Sequence, residues 1–200
     1  MQKVRALFWD IGGVLLTNAW DHEERDVAIR HFALDKVAFE MRHRECVAAF
    51  EEGQLSLDEY LSRTVFYIQR AFTREEFTHY IFSLSKPKPE ILEIARTLAH
   101  KYPMCTINNE SRELNQHRIA AFSLREIFDT FVTSCFVGIR KPDARIYRLA
   151  LDLRQCEPAE CCFIDDRQVN VDAAKALGMN TVLMQDSDQL RNDLNALGVS

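Results

Sequence analysis

Long apolar runs are missing from this chain. None approaches the roughly 18 residues that a membrane-spanning helix requires, so no membrane partner is expected. The opening residues Met1-Gln2-Lys3-Val4-Arg5 lead directly into a short strand-like run, not the longer apolar segment of a secretory signal. Cys-x-x-Cys pairs are also missing, although there are six cysteines: Cys46, Cys105, Cys135, Cys156, Cys161 and Cys162. A structural zinc site is therefore not expected. Most of these cysteines fall in or beside predicted core strands, where Cys behaves as a small hydrophobe. A reduced, cytoplasmic protein is the natural expectation. There is no excess of positive charge: 25 basic residues face 30 acidic ones, for a net charge of −5. That argues against a nucleic-acid-binding surface. Paired metal spacing among the six histidines, internal repeats and low-complexity tracts are absent as well.

What is present is an ordinary globular composition, 47% hydrophobic and 28% charged, over 200 residues. That length buries a sizeable core, as one domain or one domain with an insertion. The run Ala6-Leu7-Phe8-Trp9 reads as a buried strand, and Asp10 ends it. From about Trp20 to Ser85 strand signals are lacking. Two capping boxes there, Ser56-Leu57-Asp58-Glu59 and Thr73-Arg74-Glu75-Glu76, each open a helix. Gly53 fits the position just past a helix that runs through Val37, Met41 and Val47 to Phe50. A further helix begins near Pro89 and carries Ile91, Ile94, Ala95 and Leu98.

Strands and helices then alternate. The predicted strands are Met104–Ile107, Phe131–Cys135, Cys162–Ile164 and Thr181–Met184. Helices are predicted near Arg112–Ala121, from about Pro142, and through Ala173, Ala174 and Leu177 to Gly178. Such alternation means βαβ units and a parallel sheet. The expected architecture is α/β, a Rossmann-like doubly wound parallel sheet. Its core comprises residues 1–16 and 86–200, and residues 17–85 form an inserted helical cap.

A second apolar strand, Cys161-Cys162-Phe163-Ile164, ends in Asp165-Asp166. In open α/β sheets the carboxyl ends of the strands line the ligand crevice. Carboxylates converging there repel unless a cation sits between them, and ligands that are all oxygen point to Mg²⁺. An Mg²⁺-dependent enzyme acting on an anionic substrate follows.

These motifs resemble those of the haloacid dehalogenase-like superfamily, in its subfamily with a helical cap between the first two motifs. The likeness covers essentially the whole chain. The run Phe8-Trp9-Asp10-Ile11-Gly12-Gly13-Val14 is most similar to a subgroup of bacterial sugar-phosphate phosphatases, which also have Gly two residues after the nucleophile. The phosphatase domain of soluble epoxide hydrolases is similar but keeps Asp there. The resemblance implies that Asp10 attacks phosphorus and forms an aspartyl-phosphate. It implies that Lys141, in Gly138-Ile139-Arg140-Lys141-Pro142-Asp143, offsets the gathering negative charge. It places Asp166, Asp10 and the Gly12 carbonyl on Mg²⁺, with Asp165 and Asn170 behind them.

In the second motif, Thr106-Ile107-Asn108-Asn109, aligning Asn109 with the family's Asn puts Asn108 on the phosphoryl group. Thr106, on the same strand face, is the competing assignment. Gly12 is the departure from most family phosphatases, which carry there a second Asp that protonates the leaving oxygen. That assistance is worth about 10²–10⁴-fold, and its loss matters least for anomeric or aryl phosphates.

Asp21 lies near the cap hinge, where it could substitute for the missing acid, although a helix cap is the plainer expectation. Arg140 is expected to be an exposed neighbour of Lys141, and His43 part of a solvated basic patch. The cap aromatics Phe66, Tyr67, Phe72, Phe77 and Tyr80 are expected in its core. The expected activity is phosphatase action on a small phosphorylated metabolite. C–halogen hydrolysis by the same nucleophile, which needs no metal, and a non-catalytic binding protein on the same fold are the alternatives.

Overall fold

The computed structural model describes residues 3–200, and Met1 and Gln2, the start of the expected core segment, lie outside the described residues. Strand β1 is Ala6–Trp9. Four helices follow: α1 (His22–His31), α2 (Lys36–Glu51), α3 (Leu57–Thr64) and α4 (Arg74–Ser83). Then come α5 (Pro89–Ala99), β2 (Met104–Asn108), α6 (Arg112–Ala121), β3 (Thr130–Thr133) and the single turn α7 (Ser134–Val137). The chain closes with α8 (Ala144–Arg154), β4 (Cys161–Asp165), α9 (Gln168–Ala176), β5 (Asn180–Leu183) and α10 (Ser187–Ala196). No helix among the described residues is long and apolar enough to cross a membrane.

The strands form one parallel sheet in the order β3-β2-β1-β4-β5, the doubly wound α/β fold that the alternation predicts. Successive side chains of a strand face opposite sides. Leu7, Trp9, Cys162 and Ile164 therefore pack with α5 and α10 on one face, while Ala6, Phe8, Cys161 and Phe163 pack with α8 and α9 on the other. Both faces are covered, which is why these strands read as continuous apolar runs. The chain leaves β1 for β2 on one side and later reaches β4 on the other, so the crevice of such a sheet opens at the carboxyl ends of β1 and β4. Trp9 pairs with Ile164 in register, which sets Asp10 level with Asp165.

Helices α1–α4 share a separate apolar cluster, including Phe39, Phe50, Tyr60, Leu61 and Phe77, that also takes in Leu114 of α6. Both capping boxes are made in full, by Ser56 with Glu59 and by Thr73 with Glu76. Helix α2 runs through Val37, Met41 and Val47 to Glu51, with Gly53 just past its end, as expected. Val37 and Met41 are exposed, and the buried positions are Phe39, His43, Cys46 and Phe50. The apolar stripe is thus set by aromatic packing against Tyr60 and Trp20, not by the aliphatic residues. Likewise β3 stops at Thr133, because residues 134–137 coil into α7.

The two connections between these helices and the sheet run side by side. Leu16 bridges Pro87, the Thr17 amide donates to the Lys86 carbonyl at 2.9 Å, and the Lys88 amide to the Leu15 carbonyl at 2.9 Å. Gly53, at φ +74°, ends α2 against α7. A Cβ there would stand 2.0 Å from the Cys135 carbonyl oxygen, so only glycine allows this approach.

Candidate active site

The register just described brings three carboxylates together. One oxygen each of Asp10, Asp165 and Asp166 lie within 4.8 Å of one another. Asp165 is fully committed to its surroundings. It accepts from Lys141 Nζ at 2.6 Å, from Asn170 Nδ2 at 3.0 and 3.1 Å, and from the Arg167 amide at 2.8 Å. Asp10 accepts from the Ile11 amide at 2.7 Å, and Lys141 Nζ stands 2.9 Å from its other oxygen. Asp166 is different: its Oδ1 is buried with no partner. An unpaired buried carboxylate oxygen beside two more acids is a gap shaped for a cation.

Gly13 belongs to the same construction. At φ +74°, a Cβ on it would meet Asp166 Oδ2 at 2.0 Å, so glycine here lets the β1 loop close onto the acid. Lys88 donates to the Gly13 carbonyl and holds that loop.

The protonation states follow from this packing. Burial pushes Asp10 up to about 7, with Lys141 opposing and Asp165 and Asp166 adding to the rise. Burial and the charge of Asp165 also raise Asp166. Burial works against the Lys141 ammonium, but Asp10 and Asp165 outweigh it and raise its pKa, so it stays charged. Asn109 holds Lys141 by the backbone, donating to its carbonyl at 2.9 Å and accepting from its amide at 2.8 Å.

Asp10, Gly12, Asn109, Lys141 and Asn170 thus converge on a cavity of about 240 Å³ between the sheet and helices α1 and α2. Asn108 does not line it. Its amide donates to Asn115 at 3.2 Å and its oxygen accepts from Thr133 at 3.0 Å, so it braces β2 from behind. Thr106, the competing assignment, is wholly buried and also absent from the lining.

The far wall departs from expectation. His43 is no part of a solvated patch. It is buried, lines the cavity, and its Nδ1 lies 2.7 Å from the Tyr60 hydroxyl, which accepts from Trp20 Nε1 at 3.0 Å. Burial first, then nearby Arg25, lower its pKa to about 4. Arg140 is no bystander either, pairing with Glu51 at 2.7 Å on the cavity wall. Asp21 caps α1 and pairs with Arg167 at 2.6 Å, joining α1 to the loop of the aspartates. Burial raises the pKa of Asp21, but the His22 amide and Arg167 outweigh it, for a net lowering. Of the aromatics, Phe77 is wholly buried, whereas Tyr67 lies under Arg42.

Sequence reasoning missed the pair beside Gly12. Arg118 of α6, 2% exposed, lies 3.0 Å from Glu110 Oε2, and both line the cavity. Burial, opposed by Arg118, raises Glu110 to about 7. The available signal was the pattern of Arg118 on the apolar stripe of a helix with Leu114 and Ile119.

A family model of haloacid dehalogenase-like hydrolases matches residues 4–178. The chain belongs to that family of hydrolases. Bifunctional epoxide hydrolase 2 of Sus scrofa is 26% identical over 96% of this chain, which spans 38% of that protein's length. (S)-2-haloacid dehalogenase 1 of Pseudomonas sp. (strain CBS-3) is 32% identical over 38% of the chain and 34% of its own length. The wild-type HAD family enzyme of Bacteroides thetaiotaomicron, solved with magnesium and inorganic phosphate, superposes with a TM-score of 0.76. At 19% identity, over 94% of this chain and 98% of that one, the likeness is one of fold.

Proposed function

We propose that the protein is an Mg²⁺-dependent phosphatase of small phosphorylated metabolites, working through an aspartyl-phosphate on Asp10. The partnerless Asp166 oxygen beside Asp10 carries this reading. Asp10, Asp166 and the Gly12 carbonyl would hold Mg²⁺, as magnesium and inorganic phosphate bind the Bacteroides enzyme of the same fold. When bound, the ion supplies positive charge that screens the carboxylates from the phosphoryl oxygens.

The chain's own groups do the rest. Asp10 attacks phosphorus while the Ile11 amide fixes its carboxylate. Lys141, anchored by Asp165 and by Asn109, keeps its ammonium where charge gathers in the transition state. Asn170 and the Arg167 amide hold Asp165 in its second row. Residues 17–85 act as a cap over the cavity, hinged at the paired connections around Leu16 and Pro87, and exclude water when closed. At about 240 Å³ the cavity falls below the roughly 300–1,000 Å³ of drug-sized ligand sites, which suits a small metabolite. The same carboxylate could attack carbon in a haloacid, but that reaction gives the orphaned Asp166 oxygen nothing to do.

A screen of phosphate esters with Mg²⁺ or EDTA tests the reading. Asp10→Asn keeps the shape and removes the nucleophile, so turnover should fall to background, with beryllium fluoride binding lost and the fold retained. Near-normal turnover by that variant excludes covalent catalysis at Asp10. Full activity in EDTA together with halide release from 2-haloacids would instead establish the dehalogenase.

A further inference from the structure

Gly12 leaves a space, and Arg118 fills it. A Cβ built on Gly12 would meet Arg118 Nη1 and Asn18 Oδ1 at 3.3 Å, so the side-chain space beside Gly12 is taken by these two groups. Arg118 is held from all sides. Its Nε donates to Ser85 Oγ at 3.1 Å, and its Nη2 donates to the carbonyls of Thr17 at 2.8 Å and Asn18 at 2.6 Å. Three of the five guanidinium N–H bonds are thereby spent. The two on Nη1 are left for Glu110, 3.0 Å away, and for the cavity that Arg118 and Gly12 both line. Each of the other cations lining that cavity is paired as well, Arg140 with Glu51, Arg167 with Asp21, Arg25 with Glu40 and Lys141 with the aspartates, but Arg118 alone has its Nη1 at the Cβ position of Gly12. A buried guanidinium fixed next to the nucleophile loop, with its Nη1 between Glu110 and the Cβ position of a glycine that lines the cavity, is a preorganised site for an oxyanion.

We propose that Arg118 is a catalytic residue that donates from Nη1 to the bridging oxygen of the phosphate ester as it leaves, in place of the acid that Gly12 lacks. This rests on the phosphatase reading above. As the bond from phosphorus to the bridging oxygen breaks and the bond to Asp10 forms, the electron pair goes to the departing oxygen. Arg118 balances that charge without giving up its proton, since guanidinium is not deprotonated in proteins. The oxygen then takes a proton from solvent. Glu110 is a positioning residue: its carboxylate, itself held by the Ser111 amide at 2.9 Å, aims Nη1.

The test is a leaving-group series, from 4-nitrophenyl phosphate to simple alkyl phosphates, on the Mg²⁺-loaded enzyme and on Arg118→Ala. Loss of one such donor is worth about 10²–10³-fold. The alkyl esters should lose that much and 4-nitrophenyl phosphate far less. Added guanidinium ion should restore the alkyl esters preferentially. Equal losses across the series, or no loss, overturn the proposal.

Arg118 also ties down both cap connections, so Arg118→Ala could fail to fold. Gly12→Ala then gives a second reading, because its methyl would meet Nη1 at 3.3 Å and crowd that nitrogen while the guanidinium and its contacts to the two connections remain. It too should penalise alkyl esters selectively, and an unselective effect again overturns the assignment. Wild-type turnover of 4-nitrophenyl phosphate that Asp10→Asn abolishes shows that the phosphatase reading stands. A uniform loss in the variants then sinks the role of Arg118 alone.

Discussion

Asp166→Asn isolates the cation gap from the chemistry. The substitution keeps the side chain's volume against Gly13 and removes one of three converging charges. It replaces a buried oxygen without a partner by an amide that can donate to Asp10. An unsatisfied buried polar group costs about 1–3 kcal/mol. The metal-free variant should therefore be more stable than the metal-free wild type by that order. For a chain of this length 1 kcal/mol moves Tm by roughly 2–4 °C. Mg²⁺ should stabilise the wild type far more than the variant. At a hundredfold excess over its Kd a ligand stabilises by about 2.7 kcal/mol, or roughly 5–10 °C here. The wild type should show that rise, and Asp166→Asn should lose most of it. Calorimetry of both proteins in EDTA and in saturating Mg²⁺ measures all four values. A metal-free variant less stable than wild type, or one with an undiminished Mg²⁺ response, would refute the argument that Asp166 waits for a cation.

Neighbouring glycines should respond differently to a methyl group. Gly13→Ala forces a Cβ into Asp166 at φ +74° and should destabilise by about 2 kcal/mol or more, abolishing the Mg²⁺ shift. Gly12→Ala meets Arg118 and Asn18 only at 3.3 Å and should fold with a loss below about 1.5 kcal/mol. Equal urea midpoints for the two variants would contradict this. His43 should make the protein acid-sensitive. Its folded pKa, near 4, lies below the ordinary histidine value of 6.5, so its contribution is complete above 6.5 and is lost as pH falls towards 4, by at most about 3 kcal/mol. In urea titrations at pH 7 and 4.5, His43→Gln should shrink the difference, and an unchanged difference would exclude His43 as its source.

The parts of this molecule legible in the sequence are those that repeat a local rule. Buried parallel strands are apolar on both faces, so β1 and β4 stood out, and each ended in an acid at the sheet's crevice. The capping boxes at Ser56 and Thr73 carry their own hydrogen-bond logic within four residues, and both were made. Asp10, Lys141 and Asp165 were readable because strand ends and a family motif fix them, and the structure brings both acids within hydrogen-bonding reach of Lys141.

The cavity's far wall was not readable, because its charges are paired across long separations. Arg167 meets Asp21 from 146 positions away, and Arg118 reaches the Asn18 carbonyl from 100 positions away. Single-chain patterns treat such residues as surface, since Arg and Glu are almost never buried unless paired. For Arg118 and Glu110 the pairing is what permits burial. Three of these contacts, from Arg118 to Thr17, Asn18 and Ser85, fall on the two connections that join the helical segment to the sheet. The group proposed for the leaving oxygen is thus also the group that ties the two connections together. On the proposed reading, cap position and catalytic geometry would depend on one side chain, so substitutions in the connections at Thr17, Asn18 and Ser85 should alter turnover through Arg118 even though they touch no substrate.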